Sequence, residues 1–204
     1  MKNKLLAEFP DAITERPSKD GIEAFNCKAS ALARVAQKLR DEFEFQSLAD
    51  LAAVDMGVDA GAERFGAAYH FYSHTKKKYA RLFVFCPDAE NPALPSLCGV
   101  YKGADWLERE AFDLMGIVFE GHPSLRRILM WDGYPYHPLR KDFPLEGKEA
   151  PLPPTFEGNE DATKIIPAPE EGGPFHAPNA GTGFVSEKEP RSHSGAQTEN
   201  LQNI

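Results

Sequence analysis

The chain has 204 residues, of which 42% are apolar and 26% are charged, and its formal net charge is -8. This composition fits a single globular domain with additional chain attached, and no segment approaches the roughly 18 consecutive apolar residues of a membrane-spanning helix. An acidic chain also has no electrostatic attraction to phosphate backbones, so nucleic acid is not an expected partner.

Neither the N-terminus nor the cysteines indicate export. The apolar segment Leu5 to Ala7 is interrupted by Glu8 and Pro10, so it lacks the core of a signal peptide, and we expect a cytosolic protein. An odd number of widely spaced cysteines predicts free buried thiols rather than a disulfide framework or a CxxC site. These cysteines are Cys27, Cys86 and Cys98.

The first predicted elements form a β-α-β unit. Apolar residues at i, i+3, i+4 and i+7 predict an amphipathic helix over about 28–42. Residues 21–27 before it are typical of a short strand, and residues 45–54 after it of a strand or a strand and turn. The residues of the apolar helix face are Leu32, Val35, Ala36 and Leu39.

A β-hairpin is predicted next. Residues 64–74 and 78–86 are rich in aromatic and β-branched residues and are joined by a polar tip at 75–77. Neither face of the first arm is strongly polar, so we expect it to be a central, covered strand.

A second helix is predicted to begin at Asp105, with Glu108 as its capping-box partner, and to end at Gly116. Before it we expect a loop over 87–95 and a short strand over 97–101. After it, residues 117–150 are rich in Pro, Gly and aromatic residues, which predicts ordered but irregular structure that wraps the domain.

The C-terminal 54 residues differ from the rest in composition. They contain eight prolines, six glycines, eight acidic and three basic residues, which is too little apolar surface for independent folding. The sequence therefore predicts a single domain over 1–150, followed by a long extended or disordered tail over 151–204.

Two interpretations compete for the polar residues of the second helix. Glu110 and Asp113 lie on one helical side and, with His122, suggest acid–base catalysis by a soluble hydrolase. However, one helix cannot place two carboxylates on opposite sides of a scissile bond. We favour the alternative, that these acids are neutralised by Arg126, Arg127 or Arg140, so that replacing Glu110 or Arg126 by Ala costs about 3 to 5 kcal/mol.

The two arginines at 126 and 127 are expected to have different roles. If residues 125–129 are extended, the two side chains point to opposite faces, so that one reaches the helix and the other meets a partner protein.

A metal site is the other possibility considered. His70 and His74 are four residues apart, which in a strand separates them by about 13 Å, and no cysteine is close to a histidine in sequence. We therefore predict no metal site and no catalytic residue in this chain.

The stretch from Glu108 to Ile117, EREAFDLMGI, followed by GHPSLRRIL at 121–129 and HPLRKDFPL at 137–145, resembles the signature of the C subunit of respiratory complex I, the NADH dehydrogenase 30 kDa subunit family. Weaker similarity reaches back through Trp106, Ser96 and Asn91-Pro92 to Ala53-Val54-Asp55 and the hairpin, and short pieces of the tail are similar as well. The signature residues expected to form structural ion pairs or interfaces are Glu108, Arg109, Glu110, Asp113, Gly116, His122, Pro123, Arg126, Arg127, Arg140, Lys141 and Asp142.

The resemblance implies an α+β fold, a single domain with helices packed on a mixed β-sheet. It also implies a structural subunit of the peripheral arm of a proton-translocating NADH:quinone oxidoreductase. It would dock on the D subunit beside the B subunit, at the cytoplasmic face of the bacterial cell membrane, while FMN, iron-sulfur clusters and quinone are bound by partner subunits. A related hydrogenase-, ferredoxin- or cofactor F420-linked complex remains an alternative. The tail would then order only on partner subunits, with Phe156, Phe175 and Phe184 as anchors.

Overall fold

A computed structural model describes residues 1–150 of the chain. In chain order the helices are α1 (Lys2–Glu8), α2 (Leu32–Asp41) and α3 (Ala104–Met115), with 3-10 turns at Ala29–Ala31 and Val58–Glu63. The strands are β1 (Ile13–Arg16), β2 (Glu23–Cys27), β3 (Ser47–Asp55), β4 (Phe65–Ser73), β5 (Lys78–Phe85), β6 (Ala93–Pro95) and β7 (Val118–Glu120).

Five of these strands form one mixed sheet in the order β1-β2-β5-β4-β3. Strands β2 and β5 pair in parallel, and the other three pairings are antiparallel. The predicted hairpin is β4–β5, and β4 lies in the interior of the sheet as expected, with seven of its nine residues buried. Strands β6 and β7 form a separate parallel pair. The α+β prediction is thus confirmed.

The core lies between the sheet and the helices. The apolar residues that predicted α2 all contribute to it, and each is 0% exposed. Tyr101 lies in the core just before the third helix. Its ring packs on Phe71 at 5.4 Å between centroids, and its hydroxyl donates to the Phe45 carbonyl at 2.9 Å. The chain that precedes α3 is therefore fixed to the sheet and to α2 together, which sets where α3 begins.

Several local predictions were wrong. Residues 97–101 form a turn closed by hydrogen bonds from the Val100 and Tyr101 N–H groups to the Leu97 carbonyl, while the strand β6 lies inside the predicted loop. Helix α3 has Gly103 at its N-cap without a side-chain cap, so there is no capping box. The sequence analysis also did not anticipate α1 and β1, which are short and depend on tertiary packing through Leu5 and Ile13, both buried.

Residues 117–150 are irregular apart from β7, as predicted. In residues 1–150, no helix has the length and apolar character needed to cross a membrane. The predicted tail at 151–204 lies outside the described residues.

Candidate functional site

Helix α3 carries two fully buried carboxylates that anchor the chain on either side of it. Glu108 and Asp113 are each 0% exposed, whereas Glu110 lies on the exposed side of the helix. The catalytic pairing of Glu110 with Asp113, the interpretation we did not favour, has no support here, because Glu110 is exposed and Asp113 is buried. Glu108 and Asp113 instead face inward at different heights of the helix, and each binds a different segment.

The Asp113 carboxylate binds the segment that follows β7. Its Oδ2 accepts hydrogen bonds from three consecutive backbone N–H groups, those of Ile128, Leu129 and Met130, at 2.9, 2.7 and 2.9 Å. Its Oδ1 accepts from Arg127 Nη1 at 2.7 Å. Burial opposes ionisation of Asp113, but these four donors outweigh it and hold the pKa of the carboxyl below its ordinary value.

Arg127 is the arginine that neutralises the charge of Asp113 on α3, whereas Arg126 is exposed. The guanidinium of Arg127 also donates to two backbone carbonyls, those of Asp113 and Tyr136, at 3.0 and 3.2 Å. The prediction that one of the two arginines points inward and the other outward is confirmed. The expected destabilisation by Glu110→Ala or Arg126→Ala rested on a buried charge that neither residue has.

The end of α3 is closed by three signature residues. Gly116 adopts a left-handed conformation, with φ 73°, and donates its N–H to the Phe112 carbonyl, as predicted for a helix terminator. Arg140 Nε donates to the Met115 carbonyl at 2.8 Å, and His137 Nδ1 lies 3.0 Å from the Asp113 carbonyl oxygen. A Cβ at position 116 would lie 2.6 Å from the His137 ring, so only glycine fits at this position.

A third buried carboxylate, Asp55 at the end of β3, binds the chain at Lys141, in the last part of the signature. It accepts from the N–H groups of Gly57 and Lys141, both at 2.8 Å, and from Arg64 Nε at 3.2 Å. Arg64 also pairs with Asp142 at 2.9 Å. Burial alone would raise the pKa of Asp55, but these donors lower it by more than burial raises it. The pKa of Asp55 therefore lies below its ordinary value. The side chains of Lys141 and Asp142 are exposed, and it is the Lys141 backbone that is fixed.

Glu108 binds the turn before α3. Its carboxylate accepts from Ser96 Oγ and from the Leu97 N–H, both at 2.6 Å, and lies 3.5 Å from Cys98 Sγ. Burial raises the pKa of Glu108. Burial likewise raises the pKa of the Cys98 thiol, to about 11.

Asp105, Arg109 and His122 form a further cluster of polar side chains at the first turn of α3. Arg109 Nε lies 2.7 Å from Asp105 Oδ1, but its N–H does not point at the oxygen, so the contact is an ion pair rather than a hydrogen bond. His122 Nε2 lies 3.2 Å from the Asp105 carbonyl and 3.3 Å from Oδ1. Arg109 is 7% exposed and lies beneath the indole of Trp106, which is 63% exposed. Pro123 is exposed.

These contacts leave no free acid–base pair of the kind a hydrolase needs. Asp113 is saturated by four donors, Glu110 points to solvent, and the His122 ring is buried against Asp105. Of the predicted signature residues, Glu108, Asp113, Arg127 and Arg140 bind α3 to its flanking segments. The side chains of Glu110, Pro123, Arg126, Lys141 and Asp142 are exposed. The structure adds Asp55, Arg64 and Ser96, of which Arg64 had no sequence signal.

We expect Asp113→Asn to destabilise the domain by about 3 to 5 kcal/mol, because the neutral side chain leaves Arg127 buried without its counter-charge and loses part of the acceptor for the backbone donors. Denaturant unfolding of the purified chain measures this. Glu110→Gln, on the exposed side of the same helix, is the matched control and should change stability by no more than about 0.5 kcal/mol. Equal stability of both variants would contradict the assignment.

The Asp113 contribution should also depend on pH. Because the folded-state pKa lies below the ordinary value of 3.8, the ionised carboxylate stabilises the fold at pH values above about 4, and this stability is lost as the pH falls through the lowered pKa. The free-energy difference between the wild type and Asp113→Asn should therefore be constant from neutral pH to about 4 and shrink below it. A difference that grows towards acid pH would rule the assignment out.

Comparisons with known proteins identify the family of the chain. The family described as "Respiratory-chain NADH dehydrogenase, 30 Kd subunit" matches residues 25–149. The C subunit of the NADH-quinone oxidoreductase of Methylobacillus flagellatus is 40% identical over 154 residues, covering 72% of this chain and 78% of the relative. The C subunit of the Thiobacillus denitrificans enzyme is 45% identical over 143 residues, covering 67% and 72%.

Two solved structures share the fold. The trypsin-resistant fragment (1-134) of Nqo5 is 27% identical, with a TM-score of 0.53, and the match covers 61% of this chain and 96% of the fragment. A chain of the archaeal membrane-bound sulfane sulfur reductase is 21% identical, with a TM-score of 0.60 and coverage of 71% and 84%, which shows the fold alone. The family match spans more than half of the chain and the relatives are close, so the chain belongs to the 30 kDa subunit family of respiratory-chain NADH dehydrogenases.

Proposed function

We propose that this chain is a non-catalytic structural subunit in the peripheral arm of a proton-translocating NADH:quinone oxidoreductase. The observation that carries the proposal is the family match over residues 25–149, together with relatives of 40% and 45% identity that are themselves subunits of this enzyme. Its role is to position neighbouring subunits, while FMN, iron-sulfur clusters and quinone are held by those subunits.

The geometry of the signature supports a positioning role. Glu108, Asp113 and Asp55 are engaged in internal hydrogen bonds that fix the chain before α3, after β7 and beyond residue 140. A segment tied down in this way presents a rigid surface, which reduces the entropy lost when a partner binds.

The proposed docking partners are the D and B subunits, on the cytoplasmic face of the bacterial membrane. Around the signature the chain exposes large apolar side chains, including Trp106 at 63%, Leu129 at 57% and Leu139 at 56%. Arg126 is exposed next to them in sequence. Aromatic and arginine side chains of this kind are enriched where protein interfaces gain most of their affinity.

A related membrane complex with a different electron donor is the second candidate. It is supported by the fold shared with a chain of the membrane-bound sulfane sulfur reductase, an archaeal respiratory membrane complex. The 40% identical relative that is covered over 78% of its length favours the NADH-linked complex.

We further propose that the tail over 151–204 orders only on partner subunits. Its composition supports this. Phe156, Phe175 and Phe184 are the proposed anchors.

Tagging this chain in its native host and purifying it gently from solubilised membranes should recover B- and D-type subunits with NADH:quinone activity. The double variant Trp106→Ala/Leu129→Glu should reduce recovery of these subunits without changing the unfolding midpoint of the isolated chain, because both side chains are exposed. Tyr79→Ala, which removes an aromatic side chain that is 48% exposed on β5, is the control. Hydrogenase-type neighbours would instead favour the second candidate, and recovery of the chain alone would overturn the proposal.

Truncation after Glu149 should lower the yield of assembled complex while leaving the isolated domain folded, since the tail is proposed to contribute only through partners. Complex yield is measured by native electrophoresis of membranes, and the fold by circular dichroism. A matched control replaces the three tail phenylalanines by leucine, which keeps apolar anchors and should retain most of the yield. Unchanged assembly after truncation would refute the role of the tail.

A further inference from the structure

Three side chains of different chemistry converge beside the first turns of α3. Cys98 comes from the turn before the helix, Glu108 from the helix itself, and His122 from the loop after β7. One potential ligand atom from each lies within 4.8 Å of the others. We infer that Cys98, Glu108 and His122 form a binding site for a divalent metal ion with the preferences of zinc.

The donor set has the composition that zinc prefers. Zinc binds thiolate, imidazole and carboxylate ligands in tetrahedral geometry, and three protein ligands leave the fourth position to water. Ligand atoms around such an ion are roughly 3.5 Å apart, given bond lengths of about 2.0 to 2.3 Å. The side chains need to close by only about 1 Å, and Cys98 is partly exposed, so an ion has a path of entry.

The charge environment points to a cation independently of the spacing. Glu108 is fully buried, and within residues 1–150 it forms no salt bridge with a lysine or an arginine. The His122 side chain beside it is also 0% exposed. A buried carboxylate is stabilised by pairing with a cation, by coordinating a metal or by protonation, and a bound metal would supply the positive charge that no lysine or arginine of residues 1–150 supplies here.

The surrounding contacts are those of a supported metal site. Glu108 is oriented by Ser96 Oγ and the Leu97 N–H. The His122 ring is held at both nitrogens, since Nδ1 accepts the Ser124 N–H at 3.0 Å and Nε2 lies 3.2 Å from the Asp105 carbonyl oxygen. A metal bound at Nδ1 would replace the contact with Ser124, while Nε2 would keep its proton and donate it to the Asp105 carbonyl. A histidine that binds metal through one nitrogen is commonly oriented in this way through the other.

Binding at this site would be structural and not redox chemistry, because zinc has no accessible second oxidation state. The metal displaces the proton of the Cys98 thiol, which passes to solvent, and the thiolate supplies the new bond. The ion would link the turn at 96–98, α3 and the loop at 121–124. This goes beyond the proposed assembly role, and it is measured on the isolated chain, so either proposal can fail without the other.

The test uses the full chain, purified with a tag that does not bind metal and stripped of metal before titration. With Co²⁺ as the probe, the wild type should bind one equivalent and show a thiolate-to-cobalt charge-transfer band, and Zn²⁺ should displace the cobalt and raise the unfolding midpoint. Cys98→Ser should abolish the band. Glu108→Gln should weaken zinc binding by more than about tenfold, because it removes a direct ligand and the loss of even a supporting residue of a metal site costs roughly tenfold.

His74→Gln is the control, since His74 is exposed and outside the cluster, and it should bind zinc as the wild type does. Circular dichroism of metal-free Cys98→Ser checks that it is folded, and Cys98→Ala is used in its place if it is not. No zinc binding at micromolar concentrations would overturn the proposal. So would zinc binding that Cys98→Ser and Glu108→Gln leave unchanged, because the ion would then be held elsewhere.

Discussion

The acceptor capacity of one buried carboxylate, Asp113, determines the shape of the segment that follows α3. Residues 121–142 contain almost no regular structure, so their backbone N–H groups lack the partners that a helix or sheet provides. Asp113 supplies acceptors for three of these groups in a row and for the neighbouring Arg127. An irregular segment thereby acquires a single defined conformation, and the one charge buried to achieve this is fully compensated.

The two buried acids of α3 are in different electrostatic environments. Asp113 has an arginine and three backbone donors, and its pKa is lowered, whereas Glu108 has a hydroxyl and one backbone N–H as its close donors, and burial raises its pKa. One helix thus holds one carboxylate whose ionised form is favoured by its donors and another whose ionised form is disfavoured by burial. The difference explains why Asp113 serves as an anchor for the chain, while the surroundings of Glu108 remain suited to a cation.

Patterns within a short stretch of sequence were sufficient for the regular elements but not for the contacts between them. The spacing of Leu32 and Val35 predicted α2, and Gly116 predicted the end of α3, because both effects are local. The burial of Asp113 instead of Glu110 depends on how α3 is rotated against β3, which sequence spacing does not determine. The Cys98, Glu108 and His122 cluster joins residues 10 and 14 positions apart, a separation that matches no metal-binding motif.

The bond from the Lys141 N–H to Asp55 joins residues 86 positions apart, and this has a consequence for how the chain folds. Asp55 sits at the end of β3, early in synthesis, yet one of its donors emerges from the ribosome much later. Until then the carboxylate has only Gly57 and Arg64 as partners. Contacts of such separation slow folding because the entropy of closing the loop is lost before the contact forms. The contact that fixes the backbone at Lys141 can therefore form only after most of the domain has been synthesised.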